Sequence, residues 1–511
     1  MLASILSCGL NGIDGFQVTA EVNLMNGMPM FEIVGLPDAS VKESRERVRA
    51  ALKNSGFSFP NGRITVNLAP ADLKKEGPAY DLPIALGLLA TSGVIDVNAL
   101  RDTCVMGELS LNGDVRGIRG VLPMVISSRS RGLRRVMVPE ENLAEVQCID
   151  GIEILGVRSL LSAARHFRGE ASIAPLKTTG YAQLLSSRTF TTDFSHVKGQ
   201  RSAKRALEIA AAGGHNVLMI GPPGSGKTLM ARCMPTILPD MDFAEALETT
   251  RIHSVAGTVP PSGLLTERPF CSPHHTASHA ALVGGGTYAL PGEISKAHNG
   301  VLFLDELPEY KRDVLEALRQ PLEDGFVTIS RVNARSVYPA RFILVCSINP
   351  CPCGNLGSRS RECRCTPTQI RRYLNRISGP LLDRIDMHIE VESIPAERLS
   401  AESAEESSAE IRRRVVAARE IQKKRYAGDP AGIRINSQLS ARNINEVCRT
   451  SDEARSLLLL SCERLNLSNR AYTRILKVAR TIADLEGEEL ISADHISEAV
   501  QYRTLDRKYW G

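Results

Sequence analysis

Apolar residues along the chain recur with two different periods, and the change of period marks three stretches. In residues 1–168, short β-type runs alternate with helix-type runs. Residues 16–22, 64–68, 136–138 and 152–154 read as strands, 40–54 as an amphipathic helix and 83–89 as a buried one. That mixture predicts an α/β domain. Residues 169–192 have no clear period, and Ser, Thr and isolated Gly and Pro predict a linker. Residues 193–394 hold short, fully apolar runs suited to buried parallel strands. Residues 395–511 return to helical spacing over 402–425, 451–465 and 471–485, with a helix start at Ser492-Ala493-Asp494-His495. No fixed-period repeat is present.

The middle stretch carries the chemistry. The apolar run 217–220 leads into Gly221-Pro222-Pro223-Gly224-Ser225-Gly226-Lys227-Thr228, and 229–232 opens a helix. Glycines let backbone N–H groups converge on phosphate oxygens, and the helix N-terminus adds its positive end. Lys227 is placed to neutralise the β/γ charge of ATP, and Thr228 to offer a hydroxyl to Mg²⁺. A chance glycine turn would lack the strand before it and the helix after it. A second apolar run, 301–304, ends in Asp305-Glu306. Asp305 is expected in the Mg²⁺ shell and Glu306 as the residue that orients or activates water. A third run, 342–348, ends at Asn349, whose amide suits a γ-phosphate sensor; a turn residue ahead of Pro350 is the alternative.

Length and composition set limits. A chain of 511 residues exceeds a single hydrophobic core, which predicts roughly two to four domains. Aromatics at 5 % argue against a purely aromatic platform for single-stranded bases. A net charge of +5 is compatible with a nucleic-acid partner without requiring one. No apolar run approaches the roughly 20 residues of a membrane span. Ala3-Ser4-Ile5-Leu6-Ser7-Cys8 faintly resembles a lipoprotein box but lacks a basic flank, so it reads as a first strand. The protein is therefore expected in the cytoplasm, with cysteines that are reduced, buried or metal-bound. Cys351-x-Cys353 and Cys363-x-Cys365 bracket a short loop and could supply a closed, structural Zn²⁺ site. The C-x-C spacing departs from the commoner C-x₂-C, and four reduced thiols remain the alternative. His274, His275 and His279 read as members of a polar loop.

Longer stretches carry a family resemblance. Ser272-Pro273-His274-His275-Thr276-Ala277-Ser278, Pro291-Gly292-Glu293-Ile294-Ser295 and Ala297-His298-Asn299-Gly300 resemble the magnesium-chelatase-like branch of AAA+ ATPases. Pro350-Cys351-Pro352-Cys353-Gly354, Gly379-Pro380-Leu381-Leu382-Asp383-Arg384-Ile385-Asp386 and Ala479-Arg480-Thr481-Ile482-Ala483-Asp484-Leu485 resemble the YifB/ComM family within it. The resemblance implies an α/β P-loop AAA+ core (193–394) with a C-terminal helical lid (395–511), preceded by an α+β Lon-protease-like domain of the ribosomal S5 domain 2-like type (1–168). It also implies that Arg384 is an arginine finger reaching a neighbour's ATP, hence a homo-hexamer, and that Arg470 is a sensor-2 arginine, with Arg474 as rival. A surface salt bridge is the alternative for each arginine. Where Lon proteases carry a serine, Gly77-Pro78-Ala79-Tyr80-Asp81 has Ala79; where they carry a lysine, Arg119-Gly120-Val121-Leu122 has Leu122. A serine–lysine dyad needs both groups, so no peptidase activity is expected. A scaffold or a collar facing nucleic acid, as in RadA, is the expected role.

Residues 326–341 read as a hairpin with Asn333-Ala334-Arg335 at its tip. The resemblance points this hairpin into a pore, where Arg335 and, less directly, Arg331 would contact DNA phosphates. The glycine-rich insert 284–290, with Tyr288, is a second candidate pore loop. The function implied is a hexameric DNA motor, a branch-migration helicase in recombination and natural transformation. Rival readings are a protein remodeller or unfoldase, a magnesium-chelatase subunit (disfavoured by the N-terminal domain) and an ATP-dependent switch.

Overall fold

The computed structural model describes the chain except residues 187–189, 332–333, 358–360, 394–404, 431, 441, 466 and 511; the side chains of 186, 331, 334 and 335 are also outside the described set. In the first domain, β1 (Leu2–Asn11) and β2 (Asp14–Met25) pair as a long antiparallel hairpin. Along β2, Val18, Ala20 and Val22 are buried while the residues between them face outward. A period of two of this kind sets one face of a strand against a core. With β3 (Met30–Val34), β4 (Arg63–Ala69), β5 (Thr103–Val105), β6 (Arg135–Pro139) and β7 (Glu153–Val157) the sheet has the order β3-β4-β2-β1-β5-β6-β7. Helix α1 (Ala39–Asn54) buries Val41, Ser44, Val48, Ala51 and Leu52, one stripe at helical spacing. Helix α2 (Asp81–Thr91) is buried at every position. The expected strands and helices fall inside these elements, except that the strand expected at 152–154 begins one residue later, at Glu153, and the stretch resembling a lipoprotein box lies in β1.

Helix α3 (Val121–Ser130) packs on the opposite face from α2, and α4 (Leu160–Phe167) closes the domain. Ala79 and Leu122 belong to one buried cluster with Cys8, Cys104 and Met106. The fold thus brings the two Lon-type positions into one cluster and fills it with hydrocarbon and thiols. Neither alanine nor leucine can act as nucleophile or base.

The described residues of the 169–192 stretch include regular structure. They include a short helix, Tyr181–Ser186. Tyr181 Oη donates to Met241 O at 2.7 Å, and Tyr181 and Leu184 pack beside Cys148, Met241 and Leu264. The apolar side chains of this stretch follow no clear period, so the sequence does not reveal this.

The second domain is a five-stranded parallel sheet. Its strands are β8 (Val217–Ile220), β9 (Phe270–Cys271), β10 (Val301–Leu304), β13 (Ile343–Ile348) and β14 (Met387–Glu390), in the order β9-β10-β13-β8-β14; β11 (Phe326–Arg331) and β12 (Ala334–Pro339) form a separate hairpin. Every residue of β8, β10 and β13 is buried. Val217, Met219, Phe303 and Val345 enter one core cluster, and Leu218, Ile220, Leu302 and Leu344 another. Burial on both faces explains why these strands read as continuous apolar runs. Helices α5 (Arg201–Gly213), α6 (Lys227–Ile237), α7 (Phe243–Ala256) and α8 (Pro367–Leu374) flank the sheet.

Helices α9 (Ser408–Arg425), α10 (Asp452–Leu465), α11 (Asn469–Glu486) and α12 (Ala493–Gln501) form the C-terminal unit. Ile411, Val415 and Ala418 of α9 join the core cluster of α5. The 479–485 stretch has a structural role: Asp484 accepts from Arg425 Nη1 at 2.9 Å and from Arg480 Nε at 3.1 Å. Thr481 Oγ1 lies 2.8 Å from His215 Nε2, beside the start of β8. Burying these charges is favourable only because each is paired and hydrogen-bonded.

The two domains touch through polar contacts and a hydrophobic edge. Gly120 N–H donates to Ser254 O at 3.0 Å, and Arg251 pairs with Asp14 and donates to Ile13 O at 3.1 Å. Leu10 and Ile13, at the β1–β2 turn, pack against the cluster containing Val327, Ile329 and Tyr338 of the β11–β12 hairpin. Among the described residues no helix is long and apolar enough to cross a membrane.

Candidate nucleotide-binding site

The parallel sheet delivers β8, β13 and β10, adjacent in that order, to one edge. Ligands of open α/β sheets bind beyond the carboxyl ends of the strands. Beyond β8, the chain enters the glycine loop, with Gly224 at φ 76° and Gly226 at φ 90°. Those left-handed values suit glycine and turn the loop back so that α6 begins at Lys227. A Cβ at Gly221 would lie 2.2 Å from Val391 O, so only glycine lets the loop pass the adjacent strand.

Lys227 is 7 % exposed. Its Nζ donates to Gly221 O (2.7 Å) and Pro222 O (2.8 Å) and lies 3.4 Å from Asn349 Oδ1. Burial pushes the ammonium down to about 8, against the opposing pull of Asp305 and Glu306. Ser225 Oγ is buried with no partner among the described residues, an unspent donor in the loop. These groups fit a polyphosphate: a cation, loop amides and a free hydroxyl converge at a helix N-terminus.

Thr228 Oγ1 donates to Asp305 Oδ2 at 3.0 Å, which brings the two expected Mg²⁺ ligands together across α6 and β10. Ser347 Oγ hydrogen-bonds Asp305 Oδ1, and Glu306 N–H reaches Asp305 Oδ1 at 3.1 Å. Glu306 adopts φ 52°, a left-handed conformation that costs a non-glycine residue of the order of 1–3 kcal/mol. That turn leaves its carboxylate half-exposed, 3.9 Å from His275 Nδ1. Lys227, Thr228, Asp305, Glu306 and Asn349 are thus assembled at one edge.

Three neighbours escaped sequence reasoning. Ser347 sits in a strand whose other residues are apolar. His275, taken as one of a polar loop, borders Glu306. Gln200, at the start of α5, donates to Ser225 O (3.4 Å) and Glu392 O (2.6 Å), tying the glycine loop to the chain beyond β14. The pair Gly199-Gln200 just before a helix was the only signal.

The arginines lie elsewhere. Asp386 Oδ2 accepts from Asn216 N–H at 3.0 Å, and Asn216 precedes β8. The glycine loop follows the other end of that strand. Four residues separate the ends, about 13 Å at about 3.3 Å per residue. Arg474 pairs with Asp386 at 3.1 Å, Arg384 is 6 % exposed and pairs with Glu323, and Arg470 is exposed nearby. With Lys477 they line a cleft of about 650 Å³. Neither Arg470 nor Arg474 is brought to the glycine loop of its own chain. Arg331 and Arg335 occupy the last rungs of the hairpin, Arg331 opposite Ala334 and Ser330 opposite Arg335, with side chains outside the described residues. Tyr288 is exposed in the glycine-rich insert. The sulfurs of Cys351, Cys353, Cys363 and Cys365 lie within 4.8 Å of one another.

Comparison with known proteins extends these observations along the chain. Residues 193–399 match the family described as magnesium chelatase, subunit ChlI; 20–142 match that described as subunit ChlI of Mg-chelatase; and 405–503 match magnesium chelatase, subunit ChlI C-terminal. Competence protein ComM of Haemophilus influenzae is 45 % identical over 510 residues, 99 % of this chain and 98 % of its own. YifB of Escherichia coli is 45 % identical over 497 residues, 97 % of this chain and 96 % of its own. Lon protease 2 of Bacillus subtilis is 32 % identical over 150 residues, 28 % of this chain and 26 % of its own.

Two outcomes are expected at this site. Glu306→Gln removes the half-exposed carboxylate while leaving Lys227 and the loop intact. ATP binding should persist within a few-fold while turnover falls at least about 10²-fold, read by equilibrium binding and phosphate release. Lys227 is charged below about pH 8 in the free protein. Phosphate contact raises its pKa, so ATP binding should take up a proton above that pH and none well below it. Calorimetry in buffers of different ionisation enthalpy, at about pH 7 and about pH 9, reads the difference.

Proposed function

The chain belongs to the ComM/YifB family of magnesium-chelatase-like AAA+ proteins, and from that premise we propose that it is an ATP-hydrolysing hexameric motor acting on DNA, a branch-migration helicase in recombination and natural transformation. One observation carries the ring: the Lys227–Asp305–Glu306 set and the Arg384–Arg470–Arg474 set lie at opposite ends of one sheet. Head-to-tail packing would place the second set of one subunit against the first set of the next, a heterologous contact that forms a ring where the rotation between subunits closes. The argument for DNA rests on near-full-length similarity to a protein named for competence, and on the basic tip residue Arg335 of the β11–β12 hairpin. The N-terminal domain sits against that same hairpin, which suits a collar around the path of a strand.

In this reading each residue has a defined task. Lys227 and the loop amides bind the β/γ-phosphates, and Thr228 and Asp305 hold Mg²⁺, which when bound neutralises charge on the transferring phosphoryl group. Ser347 fixes Asp305, and Glu306 orients the attacking water. Asn349, beside Lys227, senses the γ-phosphate. Arg384 of a neighbour stabilises charge in the transition state.

Two alternatives have specific support. Tyr288, exposed in the glycine-rich insert, suits a polypeptide grip and hence a protein remodeller. The three family matches are described by a magnesium-chelatase subunit, and one covers residues 20–142, so the N-terminal domain does not separate this chain from such a subunit.

ATPase rate measured with branched DNA, duplex, single strand and unfolded protein, at two salt concentrations, discriminates these. DNA stimulation that fades with salt, paired with unwinding of a three-strand junction, is expected. Stimulation by unfolded protein alone would replace the motor with the remodeller.

A further inference from the structure

Directly after Asn349 the chain turns through Cys351-Pro352-Cys353-Gly354 and comes back at Cys363-Arg364-Cys365. Cys351 Sγ is 3.4 Å from Cys353 Sγ and 3.6 Å from Cys363 Sγ, and Cys353 Sγ is 3.7 Å from Cys363 Sγ. Zn–S bonds of about 2.3 Å give a tetrahedron with edges of about 3.8 Å. A disulfide needs about 2.05 Å, and all four cysteines are free thiols. Leu356 N–H points at Cys351 Sγ from 3.4 Å, and Gly354 N–H closes the turn on Cys351 O at 2.9 Å. The four sulfurs are therefore spaced for a metal.

The same turn bears on the nucleotide site. A Cβ at Gly354 would lie 2.6 Å from Pro223 Cδ in the glycine loop and 4.0 Å from Asn349 Cγ. The returning limb runs from Cys365 into α8, capped by Thr366. The Tyr373 phenol of α8 faces the Asn349 backbone. Asn349 is thus flanked on one side by the Cys351 turn and on the other by the helix that Cys365 leads into.

We infer that Cys351, Cys353, Cys363 and Cys365 bind one Zn²⁺ as a closed set of four thiolates, and that the metal holds Asn349 and Pro223 in their working positions. Binding exchanges four thiol protons for four Zn–S bonds and leaves no open position, so the ion is structural. The second half of the inference rests on the ATP-hydrolysis reading; the first does not.

Metal analysis of the full-length protein, purified from zinc-supplemented cells without chelator, should give one zinc per chain. Replacement by Co²⁺ should give thiolate-to-cobalt charge-transfer bands and the d–d bands of a tetrahedral ion. Cys363→Ser/Cys365→Ser should abolish both signals, keep ATP affinity within about twofold and lower kcat about tenfold, the scale on which groups supporting a site act. Gly354→Ala keeps all four thiols; it should retain zinc but lower kcat, because its methyl meets Pro223. Zinc well below one per chain, non-tetrahedral cobalt bands, or zinc unaffected by the double substitution would overturn the site. Zinc loss with unchanged kcat, or with ATP binding lost alongside turnover, would overturn the coupling to Asn349. Zinc-loaded wild-type protein that hydrolyses no ATP would overturn the ATPase reading and leave the metal site standing.

Discussion

Parallel pairing gives a sheet two chemically different ends, and the central domain uses both. Because β8, β10 and β13 are buried on both faces, their polar residues are confined to the strand ends, apart from Ser347 near the end of β13. The carboxyl ends gather Lys227, Asp305, Glu306 and Asn349, while the amino ends gather Asp386 with Arg474 and the nearby Arg384. A rigid apolar slab keeps the two groups about a strand length apart. No side-chain rotation within one chain joins them, and this separation is the ground on which a second copy is proposed.

Much of this was legible in the sequence because it rests on local rules. A glycine loop between an apolar run and a helix, and acids at the end of another run, follow from the geometry of phosphates and parallel strands. The helical period over 402–425, 451–465 and 471–485 announced the helices found at 408–425, 452–465 and 469–486. Illegible residues act through tertiary neighbours. Ser347 looks like one more position of an apolar strand until Asp305 is placed beside it. His275 becomes notable only when Glu306 turns into the left-handed region. The 479–485 stretch, conspicuous as a motif, proves to be an internal ion network rather than a contact with nucleotide.

The N-terminal domain shares sequence with Lon proteases but not the side chains of a serine–lysine dyad. Ala79 and Leu122 lie in one buried cluster of hydrocarbon and thiols, with no nucleophile or base at either position. The domain touches the AAA+ core at the β11–β12 hairpin and at α7, through Leu10, Ile13 and Gly120. Movement of the hairpin would therefore be felt by the N-terminal sheet. On the other side of the core, the four-cysteine turn braces the glycine loop at Pro223. The nucleotide edge is thus supported from outside the sheet as well as by its strands.

The central claim is that each nucleotide site is finished by a neighbour, and complementation between inactive subunits tests it most directly. Lys227→Ala chains lack a phosphate grip but keep Arg384; Arg384→Ala chains keep the grip but lack the arginine. Each alone should be inactive, and co-expressed, co-purified mixed oligomers should recover measurable ATPase activity, because some sites pair an intact loop with an intact Arg384. Mixed oligomers as inactive as either parent, despite verified co-assembly, would contradict the account and place Arg384 in a purely structural role.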